Sequence, residues 1–342
     1  MTIKISAIIP AHNEEHTLTN AIESLRQQGI TRIIVANDNS TDDTQSVAEK
    51  LGVTVFKTIN NKSKKAGALN QALNKYIDWE DDNQAVIIQD ADTVLNSTWV
   101  ATAVKLLNKG YDAVGAVFEA DKKNNYLRYC QHLEWQRYIQ EIKLKHKVQV
   151  LSGTASMIRF KKLKEVHKKY GHFYQEEAIT EDFALTLALK EVKAKMISPV
   201  SCIVTTETMP STKTLFSQRR RWYLGALQQL KYHKWSRVML PYIGQQLLLS
   251  ISIISFWLVW GLSINSILAN NYTIYPFWLA IGSIFIVERV LTVWRVGWKA
   301  RITALLMFPE LIYAIILQFS FIAAWIHFIR GKKGVWDHVP SV

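Results

Sequence analysis

The sequence predicts an α/β domain, a mostly parallel sheet flanked by helices, followed by an all-α apolar region. Three observations carry this. Short apolar runs alternate with helix-patterned segments through the first half of the chain. Two of those runs end in acidic turns. Long apolar runs then fill the last third. With 49% apolar and 20% charged residues among 342, the apolar content must be concentrated somewhere. The length suits one sizeable domain and a smaller one.

Residues 3–9 (IKISAII) form an apolar run ending at Pro10, as a buried parallel strand does. Residues 14–28 carry Leu18, Ile22 and Leu25 at helical spacing and stop at Gly29. Residues 33–36 read as a second strand, which runs into Asn37-Asp38-Asn39-Ser40-Thr41-Asp42-Asp43. There Ser40 or Thr41 is expected to cap the next helix. A third strand is expected at 53–56, a helix at 65–76 and a fourth strand at 85–89. That last strand ends in Asp90-Ala91-Asp92. Parallel sheets bind ligands at the carboxyl ends of their strands. Asp38 and the Asp90/Asp92 pair both stand at such ends, so one crevice is expected to hold them.

Two carboxylates one residue apart can present oxygens to a hard divalent cation, which completes its shell with water and phosphate. The competing reading is an acidic turn. Leu151-Ser152-Gly153-Thr154-Ala155-Ser156-Met157 follows the 148–150 run and is small and polar enough for close backbone approach by a ligand. Thr180-Glu181-Asp182 opens a helix pattern. Its carboxylates serve either as first-turn acids behind a Thr180 cap or as a general base. Gln218-Arg219-Arg220-Arg221-Trp222 stands where the two halves of the chain meet. Arginine's planar fork suits phosphate, and tryptophan offers an apolar face. The plainer reading is a positive-inside membrane anchor. Cys130 and Cys202 give neither zinc spacing nor a disulfide framework. A formal charge of +13 admits nucleic acid, an anionic membrane or an anionic substrate. The strand-end carboxylates argue against nucleic acid. The opening ten residues lack the pattern of a signal peptide, so the first half is expected in the cytoplasm.

Apolar runs at 238–264, 274–293 and 302–329 each approach or exceed the ~20 residues that span a bilayer. Tyr242, Trp257, Trp260, Tyr272, Tyr275, Trp278, Trp294 and Trp298 flank them as an interfacial belt. Glu288, Glu310 and Gln318 lie in or beside the runs and are expected to face protein. Residues 216–235 mix basic and aromatic side chains, as an interfacial helix does. The uncharged 263–273 connection belongs outside, and the one bearing Arg295, Lys299 and Arg301 inside. Three spans then put the C-terminus outside, whereas Arg330, Lys332 and Lys333 favour inside. Either the third run is partly interfacial or re-entrant near Pro309, or the charge bias is overridden.

Taken together, these residues resemble family-2 glycosyltransferases of GT-A fold. The likeness is to the membrane-bound processive branch (hyaluronan, chitin, cellulose and poly-N-acetylglucosamine synthases) and to ceramide glucosyltransferases. Pro10 to Glu14, Asp38, Asp90-x-Asp92, Thr180-Glu181-Asp182 and Gln218-x-x-Arg221-Trp222 stand in that family's order. Lys65-Ala66-Gly67-Ala68-Leu69-Asn70 looks like its donor-site helix. Each motif is weak alone, and together they are specific.

The resemblance implies inverting transfer from a nucleotide-sugar, with UDP the expected carrier of N-acetylglucosamine or glucose. It implies a nucleotide-sugar site at Pro10, Glu14, Asp38, Lys65, Asp90 and Gln218. Asp92 and Asp90 would hold Mg2+ or Mn2+. Asp182 would be the base, and Arg221 would stabilise the leaving diphosphate. Ser152, Gly153, Glu181 and Trp222 would meet the acceptor, a growing polysaccharide or a membrane lipid. The expected layout is a cytosolic catalytic domain at 1–210, an interfacial helix at 211–237, about three transmembrane helices at 238–330 and a tail at 331–342. A lipid bilayer is the expected partner. No span precedes the catalytic half, so a channel would require self-association. A non-enzymatic basic membrane scaffold would explain the charge but not the carboxylates.

Overall fold

The computed structural model describes residues 3–145, 148–233, 236–271, 273 and 275–331. Tyr272, Ile274, Lys332 and Lys333, the last two residues of the 216–235 segment and nearly all of the expected tail lie outside them. The α/β half begins β1 (Lys4–Ala11), α1 (Leu18–Arg26), β2 (Ile33–Asn37), α2 (Thr44–Lys50), β3 (Thr54–Lys57), α3 (Lys64–Tyr76) and β4 (Gln84–Gln89). It continues with β5 (Val94–Leu95), α4 (Trp99–Asn108), β6 (Ala113–Gly115), β7 (Val117–Ala120), α5 (Tyr126–Lys145) and β8 (Ala155–Arg159). Then come α6 (Phe160–Tyr170), α7 (Glu181–Glu191), β9 (Met196–Ile197) and β10 (Ile203–Thr206).

The main sheet has seven strands in the order β3-β2-β1-β4-β8-β6-β9. β1, β2, β3 and β4 pair in parallel, as do β6 and β9, while β8 runs antiparallel to β4 and β6. A small sheet, β5-β10-β7, stands beside it. The apolar runs are continuous because both sheet faces are covered. Ala7, Ile9, Ile33, Val35, Ala85 and Ile87 join one core cluster with α1 and α4. Their immediate neighbours Ile8, Ile34, Ala36, Val86 and Ile88 join the other, with α3, α6 and α7. The two-residue period of a strand sends alternate side chains to opposite layers.

The expected elements are present with shifted ends. The first helix starts at Leu18 rather than at 14. Neither Ser40 nor Thr41 caps α2: its flanking residue is Asp43, and Asp42 Oδ1 accepts from the Thr44 amide (3.0 Å). Instead Ser40 and Thr41 bind the β1–α1 loop, where Asn13 N–H donates to Ser40 Oγ (3.1 Å) and Asn13 Oδ1 accepts from Thr41 N–H (2.8 Å). Residues 148–150 lie in no strand.

The C-terminal helices are α8 (Thr212–His233), α9 (Leu240–Leu268), α10 (Pro276–Thr292), α11 (Trp298–Leu306) and α12 (Phe308–Ile329). Among the described residues two helices, α9 and α12, are long and apolar enough to cross a membrane. The middle run yields a 17-residue helix, about 25 Å long at 1.5 Å per residue and short of the ~30 Å hydrocarbon core. The third run is broken. Met307 has φ 56° and Pro309 lies in the first turn of α12. Proline has no N–H to continue the preceding helix and starts a new one readily. Glu310 is buried as expected, whereas Glu288 is exposed. These helices dock on α5 and α7. Leu127 and Cys130 meet Leu215 and Tyr313, Leu133 meets Val293 and Ala300, and Phe183 and Leu187 meet Tyr242.

Candidate active site

A single cavity of about 770 Å³ opens at the carboxyl ends of β1, β2 and β4, beneath α8 and α9. Every candidate residue named from the sequence lines it. Pro10 and Asp38 come from the ends of β1 and β2, and Lys65 from the start of α3. Asp90 and Asp92 follow β4, and the 152–154 segment precedes β8. Glu181 and Asp182 open α7, while Gln218, Arg221 and Trp222 lie on α8.

The Asp38 carboxylate accepts from Thr58 Oγ1 (2.8 Å) and Asn61 Nδ2 (2.7 Å), while its carbonyl accepts from the His12 ring (2.7 Å). Its position is therefore fixed from three sides. Glu14 accepts from Thr17 Oγ1 (2.7 Å). Burial pushes its carboxyl up to about 8; the Thr17 bond opposes this, and Asp92, Asp90 and Glu207 add to it.

Asp90 is anchored by its N–H to Thr154 O (2.9 Å). Its Oδ1 pairs with Lys65 Nζ at 2.5 Å, and the same ammonium pairs with Glu181 Oε1 at 2.9 Å. Burial lowers the Lys65 proton affinity, but Asp90 and Glu181 more than offset it and hold the ammonium well above the usual lysine range. Burial also raises Asp90, to about 7, against the pull of Lys65. Asp92 Oδ1 accepts from Thr93 Oγ1 (3.0 Å) and Thr206 Oγ1 (3.3 Å); burial raises its carboxyl, and the Glu207 charge adds to this. This end of the cavity is short of positive charge. Among the described residues no three metal-ligating side chains are gathered closely enough to hold an ion alone. Asp90 and Asp92 do fit a cation whose remaining ligands are water and phosphate oxygen, the habit of Mg2+ and Mn2+.

The first turn of α7 lacks the expected cap bond: Thr180 flanks the helix but makes no side-chain bond to it. Asp182 is held by two amides: Phe183 N–H to Oδ1 (2.8 Å) and Gly153 N–H to Oδ2 (3.2 Å). A Cβ on Gly153 would lie 3.2 Å from Lys65 Nζ and 3.3 Å from Asp182 Oδ2, so the glycine permits this crowding. Burial raises the Asp182 carboxyl to about 6, and the Glu181 charge adds to it while Lys65 opposes. Glu181 stays below the usual range: burial would raise it, but Lys65 prevails and Arg221 assists.

The three arginines of the basic stretch separate in space. Arg219 is buried, pairs with Glu134 Oε2 (2.7 Å) and lies 4.3 Å over the Trp222 ring. It holds α8 to α5. Arg220 stands over Phe216 (5.8 Å). Arg221 lines the cavity and faces Glu181.

The cavity also holds residues that sequence reasoning did not single out: Trp135 and Tyr138 on α5, Gln149, Glu207, and Gln245 and Gln246 on α9; Tyr242, expected in an interfacial belt, lines it too. α5 is covered on more than one side, so it shows no clean apolar stripe to mark it. The paired glutamines at the head of an apolar run were a usable signal, since polar side chains there face protein or a cavity.

Residues 6–167 match the family model described as Glycosyl transferase family 2. An uncharacterized glycosyltransferase of Escherichia coli K12, YaiP, is 27% identical over 245 residues, 67% of this chain and 58% of that one. A Campylobacter jejuni protein named GalNAc(5)-diNAcBac-PP-undecaprenol beta-1,3-glucosyltransferase is 31% identical over 129 residues, 36% of this chain and 40% of that one. The chain spans about half the length of the curated relatives it matches. A solved mannosyltransferase of Pyrobaculum calidifontis, PcManGT, in complex with GDP-Man and Mn2+, superposes with a TM-score of 0.62. That superposition covers 97% of this chain and 88% of that one at 17% identity. The likeness establishes the fold alone, which is GT-A.

Proposed function

We propose that this protein is an inverting glycosyltransferase that moves a sugar from a nucleotide-diphosphate carrier to an acceptor at a membrane face. The observation that carries this is convergence. Asp38, Asp90, Asp92, Asp182 and Arg221 are far apart in sequence and line one cavity. Acidic turns that merely capped helices would have no reason to meet. A basic membrane scaffold would not need buried carboxylates with raised proton affinity.

In this reading Asp38 and Pro10 bound the nucleoside end. Asp90 and Asp92 would hold the divalent cation, which when bound supplies positive charge against the leaving diphosphate. Asp182, aimed by Gly153 and Phe183, takes the proton of the acceptor hydroxyl as that oxygen attacks the anomeric carbon. The carbon–oxygen bond to the diphosphate breaks on the opposite face, so one displacement inverts the centre. Arg221 offsets charge growing on the leaving group. Lys65 ties Asp90 to Glu181 and so keeps the two sides of the cavity in register.

In this reading α9 and α12 cross a bilayer, with the α/β half on its cytoplasmic side; their length and apolar composition support it. Growth of a polysaccharide and a single addition to a lipid-borne acceptor both fit that placement. The second is favoured by the undecaprenol in the name of the Campylobacter relative. Membranes bearing the full-length protein should consume one nucleotide-sugar from a labelled panel, UDP-glucose and UDP-N-acetylglucosamine included. Consumption should need Mn2+ or Mg2+, and product sizing should separate a ladder from a single addition. Full turnover in excess chelator would remove the metal from this scheme, and a carbonate-washed membrane free of the protein would remove the bilayer.

A further inference from the structure

The cavity has two chemically different sides. On one, the strand ends and the α3 and α7 starts bring Asp38, Lys65, Asp90, Asp92 and Glu181. On the other, α5 and the head of α9 bring Trp135, Tyr138, Tyr242 and Gln246, with Gln149 beside them. Asp182 stands where the two meet. Its charge bears on Tyr138, and the ring of its neighbour Phe183 lies 5.0 Å from that of Tyr242.

The second side is neutral. Its one carboxylate, Glu134, is paired with Arg219 and bonded to Tyr313. Of the cations that line the cavity, Lys65 is held by Asp90 and Glu181, Arg221 faces Glu181, Arg219 is paired with Glu134, and Lys64 precedes Lys65 at the start of α3. Yet the neutral side carries unmet polar groups. Trp135 Nε1 and Gln246 Oε1 are buried and have no hydrogen-bond partner among the described residues. One donates and the other accepts. Buried polar groups are nearly always paired, so these two point to a ligand that both accepts and donates. Phe118, stacked 5.5 Å from Tyr138 and edge-on 4.9 Å from Trp135, holds the aromatic part of this wall rigid.

This inference rests on the transferase reading. We infer that the acceptor presents a neutral sugar ring to Asp182, bound by Trp135 and Gln246, rather than a lipid phosphate or a lipid alcohol. Vicinal hydroxyls donate and accept at once, and a pyranose's apolar face suits an aromatic wall. A phosphate accepts only, so it leaves Gln246 Oε1 without a donor, and Arg219 on this side is already paired with Glu134. A long-chain alcohol offers one hydroxyl and leaves one of the two groups unpaired. Both polysaccharide growth and extension of a lipid-borne glycan satisfy the inference; transfer to polyprenyl phosphate does not.

The test uses the full-length protein in membranes with the labelled nucleotide-sugar that it consumes. Linkage analysis of the product should find the label joined to another sugar and stable to mild acid. Label released by mild acid as a glycosyl phosphate, or joined directly to a lipid alcohol, overturns the inference. The glycan so identified is then supplied as its octyl glycoside. Gln246→Leu and Trp135→Phe should each raise the acceptor KM about tenfold, as loss of a partner for a substrate hydroxyl does, with nucleotide affinity within about twofold of wild type. Retained nucleotide affinity shows that the variants are folded. An unchanged acceptor KM in both overturns the assignment of these residues. If no nucleotide-sugar is bound or consumed, the transferase reading itself falls, and this inference with it.

Discussion

At the scale of single residues, the buried carboxylate of Asp182 bears on both stability and the proposed chemistry. Its carboxylate is buried beside Glu181, and its proton affinity is raised from 3.8 to about 6. A raised acid contributes stability that is full below its unfolded value and is lost as pH rises through the folded one. At pH 8 the ionised group is therefore a net cost to the fold. Asp182→Asn should raise Tm at pH 8 and change it little near pH 4. In the proposed reading catalysis runs the other way, because a general base must be ionised. Wild-type kcat should fall below pH about 6, and Asp182→Asn should lower it at least about a hundredfold at pH 8. A Tm lowered at pH 8, with kcat of the folded fraction intact, would return this residue to the role of helix-start acid. The motif was legible in the sequence. Gly153 as its partner was not, because 29 residues separate an amide and a carboxylate that only β8 and α7 bring together.

At the scale of elements, α8 is the hinge pin between the α/β half and the apolar helices. It packs on α7 through Gly225, where an added Cβ would overlap the Thr180 side chain. It packs on α12 through Tyr223 against Phe321 (5.2 Å), and through Arg219 to Tyr313 (3.3 Å). Gly225→Ala should therefore cost ~1–3 kcal/mol by overpacking. The double variant Gly225→Ala with Thr180→Ala should recover most of the loss, a coupling that thermal melts in detergent would read. Additive losses would mean that the two sites do not touch. The sequence marked α8 as interfacial from its mixture of arginines and aromatics. Its buried side, with Leu215, Arg219, Leu224 and Leu227, shows that much of that mixture faces protein. α5 left no mark at all, since a helix enclosed by a sheet on one side and helices on the other has no single apolar face.

At the scale of the whole molecule, charge couples the two halves. Glu310 of α12 is buried and takes Arg137 of α5 (2.6 Å) and Arg289 of α10 (Nε, 3.0 Å). Removing the shared carboxylate strands two guanidinium groups, a loss of ~3–5 kcal/mol for a broken buried pair. Glu310→Gln should lower the melting temperature of the detergent-solubilised protein and loosen α5 with its share of the cavity wall. An unchanged melt would show that the pair is solvated in the membrane-bound state. The sequence by itself determined the layered α/β architecture, because two-residue and 3.6-residue periodicities are local properties of strands and helices. It also determined where the charged side of the site would lie, because parallel strands must end on one edge. Only the tertiary structure decided that the third apolar run breaks at Met307, and that Arg219 pairs with Glu134 of α5 while Arg221 faces Glu181. It alone brought the neutral wall of Trp135 and Gln246 to face Asp182. Those outcomes depend on which surfaces meet, and pairings between residues far apart in sequence leave no periodic trace in the chain.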